Sequence, residues 1–217
     1  MWSPITNIRQ ISEALSGREP SILGHDQFLK FAVLLPLVEV DNEVHVLFEV
    51  RSLTLRRQPG EVCFPGGKIE KGETPQKAAI RETSEELGIK ESDIMDIIPL
   101  DYMVSAFGTI IYPFAGTVKD TKMIFPNVAE VGEVFTVPLS FFKKNQPDSY
   151  KINFQVEPED GFPFDLIIGG ENYKWQTRTM DEYFYRYNGK VIWGLTAKVL
   201  THFIDLMDFI KSNEEGT

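Results

Sequence analysis

The amino-acid sequence is poor in cysteine and has no long apolar run. Its 217 residues include one cysteine, Cys63, so no internal disulfide can form. The longest apolar stretches, residues 31–40 and 191–200, fall well short of the roughly 20 residues that cross a bilayer, so we expect no transmembrane helix. Residues 1–17 lack the basic stretch and apolar block of a secretory signal. These absences favour a cytoplasmic protein in a reducing compartment.

Positive charge is also scarce. The chain has 22 lysine and arginine residues against 32 aspartate and glutamate residues, which gives a net charge of -10. This balance argues against broad binding to nucleic acid or to anionic membranes. An anionic small molecule can still bind where arginines gather locally or where a metal ion offsets the carboxylates. We therefore expect neither nucleic acid nor a membrane as a partner.

The sequence predicts a single globular domain with short additions at both ends. Hydrophobic residues make up 42% and charged residues 25% of the chain, as in folded proteins of this size. We predict an N-terminal helix and turn over residues 1–24, one domain over residues 25–211 and a flexible tail over residues 212–217. Within the domain, residues 144–190 are rich in proline, glycine and aromatics and are predicted to form short strands and loops. The first helix rests on the helical spacing of Ile5, Ile8, Ile11 and Leu15.

Apolar periodicity predicts the order of strands and helices. The predicted strands cover residues 31–40, 44–51, 62–64, 94–105, 109–118 and 133–137. The best-marked helix covers residues 75–87, since Thr74 is a good N-cap residue, Pro75 suits the first helical position and Gly88 suits the C-cap. A second long helix is predicted over residues 195–211.

Three carboxylates share one face of the first of these helices. Glu82, Glu85 and Glu86 stand at positions i, i+3 and i+4. Neighbouring carboxylates repel one another and raise each other's pKa unless a cation lies among them. The cluster therefore suggests a hard divalent metal such as Mg²⁺, while the alternative is an ordinary solvated acidic face.

A longer pattern surrounds these carboxylates. Residues 67–89 read GKIEKGETPQKAAIRETSEELGI and fit G-x5-E-x7-R-E-U-x-E-E-x-G-U, where U is a bulky apolar residue. The string resembles the signature box of the Nudix hydrolase family. The matched positions are Gly67, Glu73, Arg81, Glu82, Glu85, Glu86, Gly88 and Ile89. The first U position departs, because it holds Thr83, whose hydroxyl must find a hydrogen-bond partner.

The resemblance implies a fold and a cofactor. The expected fold is of the α/β class, a Nudix-type α/β/α sandwich with a mixed central sheet. The expected chemistry is hydrolysis of a nucleoside diphosphate derivative with Mg²⁺ or Mn²⁺. Glu82 and Glu86, with Glu85 close by, would hold one to three metal ions, and the backbone carbonyl of Gly66 or Gly67 would complete the shell.

The resemblance also implies catalytic roles. Arg81 would face Glu73 across the loop and orient the carboxylates by charge-assisted hydrogen bonds. The general base is drawn from different places in this family, so several carboxylates stay open. They are Glu85, Glu70, Glu130 and Glu133.

The segment before the box points to one branch of the family. The string LFEVRSLTLRRQPGEVCFPGG is similar to the second motif of the coenzyme A pyrophosphatase branch, L-L-T-x-R-[S/A]-x3-R-x3-G-x3-F-P-G-G. Spacing matches from Arg51 onward, whereas Phe48 and Glu49 replace the Leu and Thr of the pattern. The substrate-binding residues expected from the motif and its neighbourhood are Arg51, Arg56, Arg57 and Phe64. Family members commonly dimerise, so a homodimer is a further expectation.

Three functions follow as hypotheses. The first is cleavage of coenzyme A or its derivatives to 3',5'-ADP and 4'-phosphopantetheine or its acyl form. The second is hydrolysis of ADP-ribose, NADH or another nucleoside diphosphate derivative. The third is a non-catalytic Nudix-fold sensor, which would have no need of the intact carboxylates.

Overall fold

The structure, a computed structural model, describes residues 7–105 and 107–214, the last five of these by their backbone alone. The α-helices are α1 (Ile8–Leu15), α2 (Pro75–Leu87), α3 (Leu139–Lys144) and α4 (Gly194–Glu214). The strands are β1 (Leu29–Val40), β2 (Glu43–Arg51), β3 (Val62–Cys63), β4 (Gly66–Lys68), β5 (Ile94–Pro99), β6 (Met103–Ser105), β7 (Thr109–Val118), β8 (Val131–Pro138), β9 (Asp148–Phe154), β10 (Arg178–Tyr187) and β11 (Lys190–Trp193).

Eight of the strands form one mixed sheet. Its hydrogen-bonded order is β3-β2-β1-β7-β5, and β4, β6 and β8 pair with β1, β7 and β2. Strands β1 and β7 run parallel, with Leu29 opposite Thr109 and Leu37 opposite Thr117. The other pairs in this sheet are antiparallel. The predicted mixed central sheet is therefore confirmed.

Helices cover both faces of this sheet. On one face, α2 packs through Ala78, Ala79 and Leu87 onto a cluster that includes Leu34 of β1 and Leu47 of β2. On the other face, α4 packs onto a second cluster. Its members include Leu35, Val46, Phe48, Phe142, Ala197, Leu200 and Phe203. Successive residues of a strand point to opposite faces, so β1 supplies Leu34 to one cluster and Leu35 to the other. The α/β/α sandwich predicted from the family resemblance is confirmed.

The elaborated segment builds a second, smaller sheet. Strands β9, β10 and β11 pair in antiparallel order β11-β10-β9. Tyr185 of β10 and Ile192 of β11 are buried in the same apolar cluster as α4. This packing fixes the junction where β11 ends at Trp193 and α4 begins at Gly194.

Most predicted elements appear with small shifts, and two differ. The predicted strand 94–105 is divided into β5 and β6, because the pairing with β7 shifts between Met95 and Ile98 and Pro99 has no N–H to donate. Helix α4 continues to Glu214, so residues 212–214 of the predicted flexible tail are helical.

The N-terminal helix is present but contributes nothing to the core. Asn7 caps α1 by accepting the Gln10 N–H at 3.0 Å. The apolar side chains that predicted this helix, Ile8, Ile11 and Leu15, are exposed, and Ile5 lies outside the described residues. Over the part of the chain that the structure describes, no helix is both long and apolar enough to cross a membrane.

Candidate active site

Helix α2 is held at both ends by the residues that predicted it. The Thr74 hydroxyl accepts the Lys77 N–H at 3.3 Å, and Gly88 ends the helix with φ 63°. A Cβ on Gly88 would lie 2.0 Å from the carbonyl oxygen of Phe125, so only glycine fits there. Thr83 is fully buried and its hydroxyl donates to the Ala79 carbonyl at 2.7 Å, which satisfies the one unusual position of the box.

Arg81 connects three of the predicted carboxylates. Its Nε and Nη2 donate to the two oxygens of Glu73 at 2.9 and 3.1 Å. Its Nη1 lies 2.9 Å from Glu82 Oε1 and 3.3 Å from Glu85 Oε2. The hydrogen bonds from Arg81 lower the pKa of Glu73. The predicted contact between Arg81 and Glu73 is present, and it locks the guanidinium that orients the helix carboxylates.

Glu86 is buried at the contact between α2 and β4. It is 6% exposed, and its Oε2 accepts the Gly66 N–H at 2.8 Å. Burial, followed by the nearby charge of Glu49, raises the pKa of Glu86. A Cβ on Gly66 would lie 2.4 Å from the Ala32 carbonyl oxygen, so glycine lets β4 approach β1 closely enough to make this contact. The carbonyl of Gly66, predicted as a metal ligand, remains a prediction.

Glu82 occupies the space left by a second glycine. A Cβ on Gly67 would lie 2.3 Å from the Glu82 carboxyl carbon. Burial raises the pKa of Glu82, while Arg81 opposes that rise. The loop therefore needs Gly67 so that the Glu82 carboxylate can rest against its backbone.

Sequence reasoning missed one buried carboxylate, that of Glu49. This residue of β2 is 1% exposed; its Oε1 accepts the Cys63 S–H at 3.2 Å, and its Oε2 has no hydrogen-bond partner among the described residues. Burial raises the pKa of Glu49, and burial together with Glu49 raises the pKa of the Cys63 thiol. A thiol held neutral is a poor nucleophile or metal ligand, so neither role is expected of Cys63. The available signal was a glutamate inside an apolar strand, at a position where the motif has threonine.

The donor set suits a hard divalent cation. All the side-chain donors are carboxylate oxygens, which Mg²⁺ and Mn²⁺ prefer. Burial and neighbouring carboxylates raise the pKa of Glu82 and of Glu86, and a cation among them would offset both effects. Among the side chains that the structure describes, no three of His, Cys, Asp or Glu converge closely enough to hold a metal ion, and Arg81 draws Glu82 and Glu85 toward itself. The chemistry fits the cation, and the carboxylates would have to draw together around it.

A cavity of about 530 Å³ opens beside this cluster. Glu86 and Glu130 line it, together with Arg51 at the end of β2 and Arg57 in the loop that follows. The remaining wall is mostly apolar and includes Phe31, Val33, Phe64, Ile111, Trp193 and Leu195. Of the four carboxylates considered as general base, Glu130 lines this cavity, whereas Glu70, Glu85 and Glu133 do not.

Three predicted site residues lie elsewhere. Glu133 stands on β8 opposite Val50 and pairs with Lys190, so the structure does not bring it into the carboxylate cluster. Arg56 is exposed and does not line the cavity, unlike its neighbour Arg57. The Glu85 side chain is 57% exposed, and its described contact is with Arg81. It lies one turn after Glu82 and directly before Glu86, so it stays near the cluster, but it does not line the cavity.

Two aromatic residues connect the core to the cavity. Phe64 is buried and stacks on Phe48, with ring centroids 5.1 Å apart, so its main contacts are core packing. Trp193 stacks on Phe184 at 5.7 Å with an interplanar angle of 7°, yet it stays 37% exposed at the cavity wall. Trp193 therefore packs on Phe184 and also lines the cavity.

Comparisons with known proteins match one family model and several relatives. A family model described as the NUDIX domain matches residues 29–155. The chain is similar to the peroxisomal coenzyme A diphosphatase NUDT7 of Mus musculus, with 40% identity over 114 residues that cover 52% of this chain and 48% of the relative. It is also similar to the Nudix hydrolase NudL of Photorhabdus laumondii, with 31% identity over 170 residues that cover 78% of this chain and 80% of the relative. Among solved structures, the chain is similar to a MutT/nudix family protein from Enterococcus faecalis, with 13% identity and a TM-score of 0.48. The superposition covers 94% of this chain and 70% of that protein. The chain thus spans about half the length of the mouse relative and most of the bacterial one.

Proposed function

The chain belongs to the Nudix hydrolase family, whose members act on pyrophosphate bonds, and from this premise we propose that its substrate is coenzyme A or a derivative. The products would be 3',5'-ADP and 4'-phosphopantetheine, or its acyl form. In this reaction the oxygen of a water molecule bonds to one phosphorus atom of the pyrophosphate. The bridging P–O bond breaks, and the proton of the water passes to a base.

The lining of the cavity carries this proposal. It combines the carboxylates Glu86 and Glu130 with Arg51 and Arg57, and most of its other residues are apolar. Coenzyme A also combines both kinds of group, since one half is a nucleotide with a 3'-phosphate and the other is a long pantetheine arm. The arginines supply fixed positive groups for the phosphates in a chain whose net charge is -10. The apolar lining residues, which include Phe31 and Leu195, would contact the pantetheine arm.

Similarity to a relative named for coenzyme A supports the same substrate. The mouse relative, named as a coenzyme A diphosphatase, is 40% identical over the matched 114 residues. The Arg51 Nε donates to the Arg57 carbonyl at 3.4 Å, which connects the end of β2 to the loop that follows it. Both arginines line the cavity.

Glu82 and Glu86, with Glu85 adjacent, would hold the divalent cation. A bound Mg²⁺ or Mn²⁺ neutralises phosphate charge and makes phosphorus more open to attack by water. The groups around the carboxylates fix their positions. Arg81 holds Glu82 and Glu85 by contacts of 2.9 and 3.3 Å, and the Gly66 N–H fixes one oxygen of Glu86.

Glu130 is the carboxylate best placed to take the proton from water. It lies in the loop before β8, where its backbone carbonyl accepts the Ser52 N–H at 2.7 Å. Its side chain is exposed to the cavity and accepts from the Asn127 amide at 3.3 Å. An anchored backbone with an accessible carboxylate is the arrangement that a general base requires.

A comparison of substrates tests the proposal. Wild-type protein, Arg51→Ala and Arg57→Ala would each be assayed with coenzyme A, 3'-dephospho-coenzyme A, ADP-ribose and NADH in the presence of Mg²⁺ or Mn²⁺. We expect coenzyme A to have the highest kcat/KM and the arginine variants to reduce its advantage over the 3'-dephospho form. A higher kcat/KM for ADP-ribose or NADH would support hydrolysis of a pyrophosphate bond but would contradict coenzyme A as the substrate. Absence of hydrolysis with every compound would favour a sensor.

The compartment and the oligomeric state are parts of the proposal with their own tests. The sequence favours the cytoplasm, whereas the mouse relative is named as peroxisomal. Fluorescence imaging of a tagged chain in its own cells distinguishes the two. A homodimer would give twice the 24.8 kDa chain mass in light scattering after size-exclusion chromatography.

A further inference from the structure

The buried carboxylate of Glu49 has no structural use that its surroundings explain. Charged side chains are almost never fully buried without a partner. Cys63 occupies Oε1 through a weak thiol donor at 3.2 Å, and Oε2 has no partner among the described residues. A side chain that only filled space here would be apolar, like Leu47 and Phe48 beside it.

The strand register shows which way this carboxylate points. Side chains two residues apart on a strand share a face. Leu47 packs in the cluster that contains Ala79 and Leu87 of α2, so Glu49 faces α2 as well. Its partner across the strands, Cys63, lies opposite it in the pairing of β2 with β3.

Glu86 lies on that same side. It directly precedes Leu87, and its Oε2 is fixed by the Gly66 N–H at the end of the short loop after Cys63. The charge of Glu49 raises the pKa of Glu86, and the charge of Glu130 raises the pKa of both. A carboxylate from the sheet and a carboxylate from α2 therefore lie near each other on the same side of the sheet.

We propose that Glu49 is a further carboxylate of the divalent-cation site, holding the cation from the sheet side while Glu82 and Glu86 hold it from α2. This inference rests on the proposed function, since it assumes that a cation binds at Glu82 and Glu86. The free Oε2 gains a partner when the cation or a water on it is present. Cys63 acts on Glu49 and is a positioning residue.

The proposal predicts opposite effects on metal binding and on stability. Glu49→Gln keeps the size and the acceptor for Cys63 but removes the charge. It should weaken Mn²⁺ binding by about ten- to a hundredfold, as losses of supporting carboxylates at metal sites do. It should leave the melting temperature of the metal-free protein unchanged or higher, because an unpaired buried charge is removed. A purely structural role for Glu49 would lower that temperature and leave Mn²⁺ affinity unchanged.

The experiment is a titration of the protein with Mn²⁺ in the absence of substrate, in which electron paramagnetic resonance measures the free Mn²⁺. Melting curves are recorded separately in EDTA. Glu39→Gln is the matched control, since it removes one exposed carboxylate from β1 of the same sheet, and it should behave as wild type. Cys63→Ala is the second variant and should reduce Mn²⁺ affinity by a smaller factor with the charge of Glu49 intact.

Each outcome decides the matter. Unchanged Mn²⁺ affinity in Glu49→Gln overturns the inference. Failure of Glu49→Gln to fold in EDTA also overturns it, because the charge would then support the metal-free fold. Glu86→Gln separates the two proposals: if it too binds Mn²⁺ like wild type, the metal site of the proposed function has failed, and not only the role of Glu49.

Discussion

Replacing Glu86 with glutamine should change how the stability of the metal-free protein depends on pH. The side chain is buried, and its pKa is raised from 4.5 to about 9, first by burial and then by Glu49. Between these two values the folded protein binds a proton that the unfolded chain releases. The stabilisation is therefore complete below about pH 4.5 and is lost as the pH rises toward 9.

The size of the effect follows from that one proton. A single proton difference changes the unfolding free energy by about 1.4 kcal/mol per pH unit. From pH 6 to pH 8 the titration of Glu86 alone should cost the metal-free wild type at most about 3 kcal/mol. Glu49, whose pKa burial raises to about 7, adds to the decline mainly below that pH. Glu73 does not obscure this decline, because Arg81 lowers the pKa of Glu73 and its contribution is lost only in the acid range.

Urea unfolding in EDTA at pH 6, 7 and 8 measures the decline in wild type and in Glu86→Gln. The variant keeps an acceptor for the Gly66 N–H, so the fold should survive while the pH dependence falls to half or less. Saturating Mg²⁺ should also remove the decline in wild type, since the cation replaces the proton. Equal pH dependence in the two metal-free proteins would refute the view that Glu86 retains a proton there.

Three further predictions concern positions around the site. Arg81→Lys should lower kcat by about ten- to a hundredfold with little change in KM, because an ammonium group cannot reproduce the two-point contact with Glu73; full activity in steady-state kinetics would contradict this. Gly67→Ala should weaken Mn²⁺ binding, since its Cβ would lie 2.3 Å from the Glu82 carboxyl carbon, and calorimetry showing wild-type affinity would count against that clash. Trp193→Ala should raise the KM for coenzyme A several-fold and leave inhibition by 3',5'-ADP unchanged, whereas equal weakening of both would place Trp193 at the nucleotide end.

Local signals were enough to predict the elements that form the sandwich. Helix α2 has the predicted bounds because its cap at Thr74, its Pro75 and its terminal Gly88 are encoded within a few residues. The division of strand 94–105 escaped prediction, since it depends on how that segment pairs with β7. Residues 212–214 join α4 although their composition favours a loose tail, which shows that a long packed helix can extend beyond its apolar face.

The site residues also fall into those that the sequence predicted and those that it did not. Spacing along one helix placed Glu82 and Glu86 together, because helical geometry is fixed by the sequence. Spacing did not identify Glu49, whose role depends on strand register, nor did it separate Glu130 from Glu133. These two lie three residues apart, yet one reaches the cavity from a loop and the other pairs with Lys190 from a strand.

The most direct test of the whole account is identification of the products by mass spectrometry. Purified wild-type protein and Glu86→Gln would be incubated with coenzyme A in Mg²⁺ and, separately, in EDTA. The account predicts 3',5'-ADP and 4'-phosphopantetheine in equal amounts from wild type with Mg²⁺, and almost none from the variant or in EDTA. Intact coenzyme A in the wild-type reaction, or the same products from Glu86→Gln at an equal rate, would contradict it.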